Sequence, residues 1–188
     1  GWDARIVAAH ALTILADGGG KVRGILGTLP PHILTQADRE KPLALEDAFV
    51  RIRPAAVEWK LDGARIQVHR SGRDVRAFTR NLADITDRVP EIVDAVSRLE
   101  LESVVLDGEA IALGPEDRPL PFQVTMSRFG SKVNVAELRK TVPLSPYFFD
   151  VLHLDGEDLL DRPAGERLAA LSERTPAALG VPRNATAD

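Results

Sequence analysis

Residues 57–70 read VEWKLDGARIQVHR, two runs of period-two alternation on either side of Asp62-Gly63. At that period Val57, Trp59 and Leu61 fall on one face of a strand, and Glu58, Lys60 and Asp62 on the other. After Asp62-Gly63, the residues Ala64, Ile66 and Val68 alternate with Arg65, Gln67 and His69. An Asp-Gly pair between two such runs is a hairpin signal. The stretch predicts two strands meeting at a tight turn, with an apolar face to bury and a polar face that gathers an amine between two carboxylates. A chain committed to such a pair needs more sheet to bury it.

The amine has chemical interest. An ordinary exposed lysine has a pKa of about 10.4, so roughly one in a thousand is neutral near pH 7.4, and only the neutral amine attacks phosphorus. Desolvation on a packed sheet, the neighbouring Arg65 and a bound divalent cation would each disfavour the ammonium form. Glu58 and Asp62 act the other way unless a ligand or metal occupies them. On the residues alone, an activated lysine and a surface hairpin of solvated charges both remain open.

At 188 residues and 44% hydrophobic content, the chain has the length of one domain with room for a piece of a second, and enough apolar side chains for a core. It has no cysteine, which excludes disulfides, thiolate metal sites and thiol nucleophiles. His10, His32, His69 and His153 lack ligand spacing. The apolar run 6–16 is too short to cross a bilayer and no signal peptide precedes it, so a cytoplasmic protein without a membrane partner is expected. The net charge of -4 argues against a protein that coats nucleic acid, but residues 51–88 carry nine basic and five acidic side chains. A local positive surface for phosphates is therefore compatible with an acidic chain.

Along the rest of the chain, residues 1–20 predict a short helix ended by Gly18-Gly19-Gly20, and 43–49 a second one. Ser71-Gly72 reads as a turn into a strand over 74–79, with Val75 and Ala77 on its apolar face. A helix is expected over 84–98, its regular part starting at Pro90. Residues 102–113 read as a strand that puts Asp107 and Glu109 on one face; carboxylates there need partners, structural or from a ligand. A polar loop follows over 114–121, then helices over 122–129, with Met126 as core filler, and 135–140. Residues 146–156, PYFFDVLHLDG, predict a strand with Tyr147, Phe149, Val151 and His153 on one face and Phe148, Asp150, Leu152 and Leu154 on the other. These aromatics suit either a packed core or a stacking surface. Asp161 and Pro163 mark a helix start, and residues 182–188 read as a frayed end.

The six residues from Lys60 to Arg65 form a K-x-D-G-x-R pattern, which at roughly 5–7% usage per fixed residue arises by chance about once in several hundred chains of this length. The pattern resembles motif I of the covalent nucleotidyltransferases, the superfamily of DNA ligases, RNA ligases and mRNA capping enzymes. Thr79-Arg80-Asn81 is similar to the short motif that follows in DNA ligases, Asp107-Gly108-Glu109 to motif III, and Phe149-Asp150 to motif IIIa. Four motifs in family order make the resemblance closest to ATP-dependent DNA ligases of the bacterial and archaeal type.

The resemblance implies an α+β nucleotidyltransferase (adenylation) domain of antiparallel sheets flanked by helices, truncated. Residues 42–188 would be a partial adenylation domain, and 1–41 an uncertain segment, in one reading the remnant of a helical DNA-binding domain. It implies ATP and Mg²⁺ as reactant and metal, nicked duplex DNA as partner, and a monomer. Lys60 would be the nucleophile that takes AMP. Glu58 would read the adenine edge, Arg65 and Arg80 contact the nucleotide or its phosphate, Glu109 contact the ribose and approach the metal, and Phe149 stack on the base. The family's later motifs and its C-terminal OB-fold domain have no counterpart after Gly156. A capping-type guanylyltransferase or RNA ligase, and a non-catalytic nucleotide or nucleic-acid binder, are the competing readings.

Overall fold

The computed structural model describes residues 56–130 and 134–185. The chain divides into two compact units, Leu61–Val181 and a second made of Gly1–Lys60 with Pro182–Asp188. The helices expected over 1–20 and 43–49 lie outside the described residues.

The larger unit is built on a five-stranded antiparallel sheet. Its strands are β2 (Ala64–Ser71), β3 (Asp74–Thr79), β4 (Ser103–Ala112), β5 (Leu144–Leu154) and β6 (Glu157–Asp158), in the order β3-β2-β4-β5-β6. The helices are α1 (Pro90–Ser97), α2 (Phe122–Gly130), α3 (Val135–Thr141) and α4 (Ala164–Arg174). Antiparallel strands with helices gathered outside the sheet make this an α+β domain, as expected. Ile66, Val68, Val104, Leu106, Phe148 and Val151 of the sheet join Ile92 and Val96 of α1 in one core, each contributing about 1.5–3 kcal/mol by burial.

Local signals explain the boundaries. Gly72 at φ +58 turns β2 into β3, a backbone angle that costs glycine little. Pro90 opens α1, where its missing N–H is not needed. At the other end of α1, Arg70 reaches across from β2 and donates to the carbonyls of Val96, Ser97 and Leu99, at and just past the helix end. Buried Arg128 of α2 donates to Glu91 of α1 at 2.6 Å, and the same carboxylate oxygen accepts the N–H of Leu144 at the start of β5.

The hairpin expected at Asp62-Gly63 does not form. Both edges of β2 are taken, by β3 and β4, so no edge is left for the preceding segment. The strand before it, β1 (Ala56–Glu58), pairs instead with β7 (Arg183–Ala185). Residues 183–185, expected to fray, are thus a strand. Gly63 has another reason to be glycine: a Cβ there would lie 2.5 Å from the carbonyl oxygen of Ala110 and 2.8 Å from Ile111 Cγ1, so it allows close approach to β4.

Other expectations shift at single residues. Met126 is 41% exposed and is no core filler; the buried side chains of α2 are Thr125, Arg128 and Phe129. Asp161 does not cap α4, whose N-cap is Pro163. In β5 the expected two-face alternation breaks, because the pairing with β4 shifts register at two points. Phe148 and Val151 therefore both enter the core, and Phe149 and Asp150, next to each other in sequence, have partners on the polar face.

Candidate functional site

Arg65 is the second residue of β2 and stands in register with Glu109 of β4, which in turn stands opposite Tyr147 of β5. One residue pair further along, Asp107 faces Gln67 on one side and Asp150 on the other. The diagonal between Arg65 and Asp107 is short enough for a fork of two bonds, Nε to Oδ1 at 3.0 Å and Nη2 to Oδ2 at 2.5 Å. The hydrogen bonds that Arg65 donates to Asp107 raise its pKa further; burial opposes this, and the charges of Asp107, Glu109 and Asp150 add to it. Arg65 Cζ also lies 5.8 Å from the centroid of the Phe149 ring, within the range of a cation–π contact. Sequence reasoning joined Arg65, Glu109 and Phe149 only by resemblance; pairing and bulge place them on one sheet face.

Asp150 is held in the same way from the other side. Arg167 of α4 donates Nε to its Oδ1 at 2.9 Å and Nη2 to its Oδ2 at 3.0 Å. The sequence held a signal for Arg167 that went unread: with Ala164, Leu168 and Leu171 it lies on the i, i+3, i+4, i+7 stripe that α4 buries, and an arginine on such a stripe needs an anionic partner. Tyr147 is half-buried, and burial, then the charge of Asp117, push its hydroxyl pKa up, so it stays a neutral donor well beyond pH 7.

Arg80 lies in the turn that follows β3, exposed. Since Thr79 is in register with Ile66, this turn is at the same end of the sheet as Arg65. Glu58 and Lys60 belong to the other unit. There Glu58 is 1% exposed and Trp59 is 63% exposed, the reverse of the faces expected. The cause is Arg183 of β7, opposite Glu58 in register, whose Nε donates to Glu58 Oε1 at 2.5 Å and makes a buried carboxylate tolerable. Glu58 Oε2 is buried and has no hydrogen-bond partner. Lys60 is exposed and follows the end of β1, so strand alternation does not link it to Glu58.

A second constellation has catalytic geometry without a catalytic setting. Ser103 Oγ lies 3.0 Å from His153 Nε2, and His153 Nδ1 lies 2.7 Å from Asp158 Oδ1. However, the N–H of Gly156 donates to Ser103 Oγ, and the N–H groups of Glu102 and Ser103 are bound by Asp155. The backbone donors that could hold an oxyanion are thus engaged, and the chain of bonds ties β4, β5 and β6 together.

Among the described residues no group of three or more His, Cys, Asp or Glu side chains is arranged to hold a metal ion. Mg²⁺ usually takes one or two carboxylates together with substrate phosphates and water, so the hard oxygens of Glu109 fit that habit. Asp107 and Asp150 are engaged by arginines. No helix among the described residues is long and apolar enough to cross a membrane.

Fold and site define an antiparallel α+β domain whose polar sheet face joins a guanidinium, an aromatic ring and carboxylates, groups suited to a phosphorylated aromatic ligand. The family model described as ATP dependent DNA ligase domain matches residues 37–185, and the chain belongs to that family. A second model, M42 glutamyl aminopeptidase, matches the shorter stretch 1–61. The chain is 58% identical over 144 residues to a probable DNA ligase of Anaeromyxobacter sp. (strain Fw109-5), covering 77% of this chain and 28% of that protein. It is 48% identical over 178 residues to a probable DNA ligase of Streptomyces griseus, covering 95% and 35%. It is 56% identical over 131 residues to DNA ligase B of Mycobacterium tuberculosis, covering 70% and 26%. The chain thus spans about a quarter to a third of the length of these curated relatives. Among solved structures, the ligase domain of M. tuberculosis LigD is similar at TM-score 0.48 and 26% identity, over 63% of this chain and 36% of that one. A mycobacterial DNA ligase D complexed with ATP and MES has the same score and identity over 68% and 38%. A guanylyltransferase, an RNA ligase and a non-catalytic binder are not favoured by the family match or by the curated relatives, which are named DNA ligases.

Proposed function

We propose that this chain is the adenylation part of an ATP-dependent DNA ligase that acts as a monomer in the cytoplasm. The neutral amine of Lys60 attacks the α-phosphate of ATP; a P–N bond forms, the bond to the bridging oxygen breaks, and pyrophosphate leaves. A 5′-phosphate oxygen of nicked duplex DNA then attacks the AMP phosphorus and displaces the lysine, and the 3′-hydroxyl of the nick attacks the phosphorus of the 5′-phosphate, so that the phosphodiester forms and AMP leaves. Each step is a transfer at phosphorus, in which positioning and charge neutralisation carry most of the rate. Mg²⁺, when bound through Glu109 and the phosphates, supplies part of that neutralisation.

The single observation that carries the reading is the shared face of Arg65, Glu109 and Phe149 inside the stretch matched by the ligase family. On it, Phe149 stacks on the base, Arg65 and Arg80 meet the nucleotide or its phosphates, and Glu109 binds the ribose. The buried Glu58 Oε2, without a hydrogen-bond partner, suits an acceptor for the adenine amino group.

The test is incubation of the full-length protein with ATP labelled at the α-phosphate, followed by peptide mapping. An acid-labile label is expected on Lys60 and lost in Lys60→Arg, because a guanidinium with a pKa above about 12 cannot become a neutral nucleophile. A label on another lysine, or one that survives in the variant, would overturn the assignment.

A further inference from the structure

The sheet face that carries Arg65 and Phe149 also carries an electrostatic problem. Asp107 and Asp150 stand opposite each other on neighbouring strands, and like charges so placed repel. Each is clamped from outside by a paired arginine, Asp107 by Arg65 and Asp150 by Arg167. Arg167 is itself fixed, since its Nη1 donates to the carbonyl of Arg162 at 2.6 Å in the segment that leads into α4. Phe149 is the residue that the register shift inserts between the pairs Asp107–Asp150 and Gly108–Phe148. The clamp on Asp150 therefore grips the residue next to the aromatic ring.

We infer that Arg167 is a positioning residue for nucleotide binding: by holding Asp150 it fixes the bulge that presents Phe149 and leaves Arg65 to Asp107 and the ligand. The inference rests on the proposed function and extends it to α4, which none of the four motifs includes. Without Arg167, Asp150 would be a nearly buried carboxylate that has lost its paired guanidinium. Arg65, already attracted by Asp150, is a cation of this face that could answer it, and doing so would draw it from Asp107 and from its place over Phe149. The face would also change from three carboxylates against two guanidiniums to three against one, which repels a triphosphate. A role in stability alone would not require this pair, because an apolar side chain on a buried helix stripe generally serves stability as well as a buried ion pair does.

The experiment uses the full-length protein and compares lysyl-AMP formation by the wild type, Arg167→Ala, Arg167→Lys and the double variant Arg167→Ala/Asp150→Asn. In Arg167→Ala the KM for ATP is expected to rise about tenfold or more while the rate at saturating ATP stays within about threefold, the split of a lost binding geometry. The double variant should recover most of the KM, since the orphaned charge is gone. Arg167→Lys should be intermediate, because an ammonium keeps the charge but not the fork. An Arg167→Ala enzyme with wild-type KM, or a double variant no better than the single one, overturns the inference while the proposed function stands. If Arg167→Ala does not fold, Arg167→Lys decides: a KM raised about threefold supports the inference, and an unchanged KM overturns it. A wild-type protein that forms no adduct with ATP overturns both.

Discussion

Asp155 does two things at one turn. With its backbone at φ +44 it reverses the chain between β5 and β6, and its Oδ1 accepts the N–H groups of Glu102 at 2.7 Å and Ser103 at 3.2 Å. Its Oδ2 meets Arg174 of α4 at 2.5 Å. Burial works against the charged form, but these bonds outweigh it and hold the carboxyl below its ordinary pKa. A depressed folded-state pKa adds stability that is fully present above the unfolded value of about 3.9 and lost as pH falls through the folded one. Asp155→Asn is therefore expected to unfold at a lower temperature than wild type at pH 7. The gap should close as the pH is taken below 3.9 towards 2, as followed by thermal unfolding across that range. A gap that stayed constant with pH would mean that the carboxylate charge plays no part.

At the scale of elements, β2, β3, β4 and β5 were legible because each alternates or runs apolar between turn residues, and α1 because its apolar spacing follows a proline. What could not be read was pairing. Residues 57–61 alternate like a strand, yet only Ala56–Glu58 is one, and its partner lies at the far end of the described chain. The bulge at Phe149 leaves no mark in composition, so the faces of β5 were assigned correctly as far as Phe149 and wrongly at Asp150 and Val151, and the second register shift returns His153 and Leu154 to their expected faces. Gly63 looked like half of a turn and is a contact residue. Gly63→Ala should thus destabilise the larger unit by about 1–3 kcal/mol, because the obstructing atom is a β4 carbonyl that cannot yield without breaking the ladder. Gly165→Ala in α4, where a Cβ meets nothing within 4 Å, should be neutral or stabilise by about 0.5–1 kcal/mol. Urea denaturation of the two variants separates close approach from conformational freedom.

For the whole molecule, the candidate residues are divided between two units, with Glu58 and Lys60 in one and Arg65, Arg80, Glu109 and Phe149 in the other. The motifs that resemblance joined in one list therefore depend on different packing. Arg183→Ala leaves the Glu58 carboxylate buried without its partner, a loss of about 3–5 kcal/mol when one side of such a pair is removed. Hydrogen exchange should then quicken at Ala56–Glu58 and Arg183–Ala185, while the amides of β2 and β4 keep their protection. Uniform loss of protection would show that the two units unfold as one. The pairing of β1 with β7 also sets an order in time. Glu58 waits for an arginine encoded 125 residues later, which at about 5–20 residues per second is a delay on the order of ten seconds on the ribosome. During that interval the strands of the five-stranded sheet, which lie between the two residues, are synthesised in full, so the strand that leads to Lys60 is made before them and paired after them.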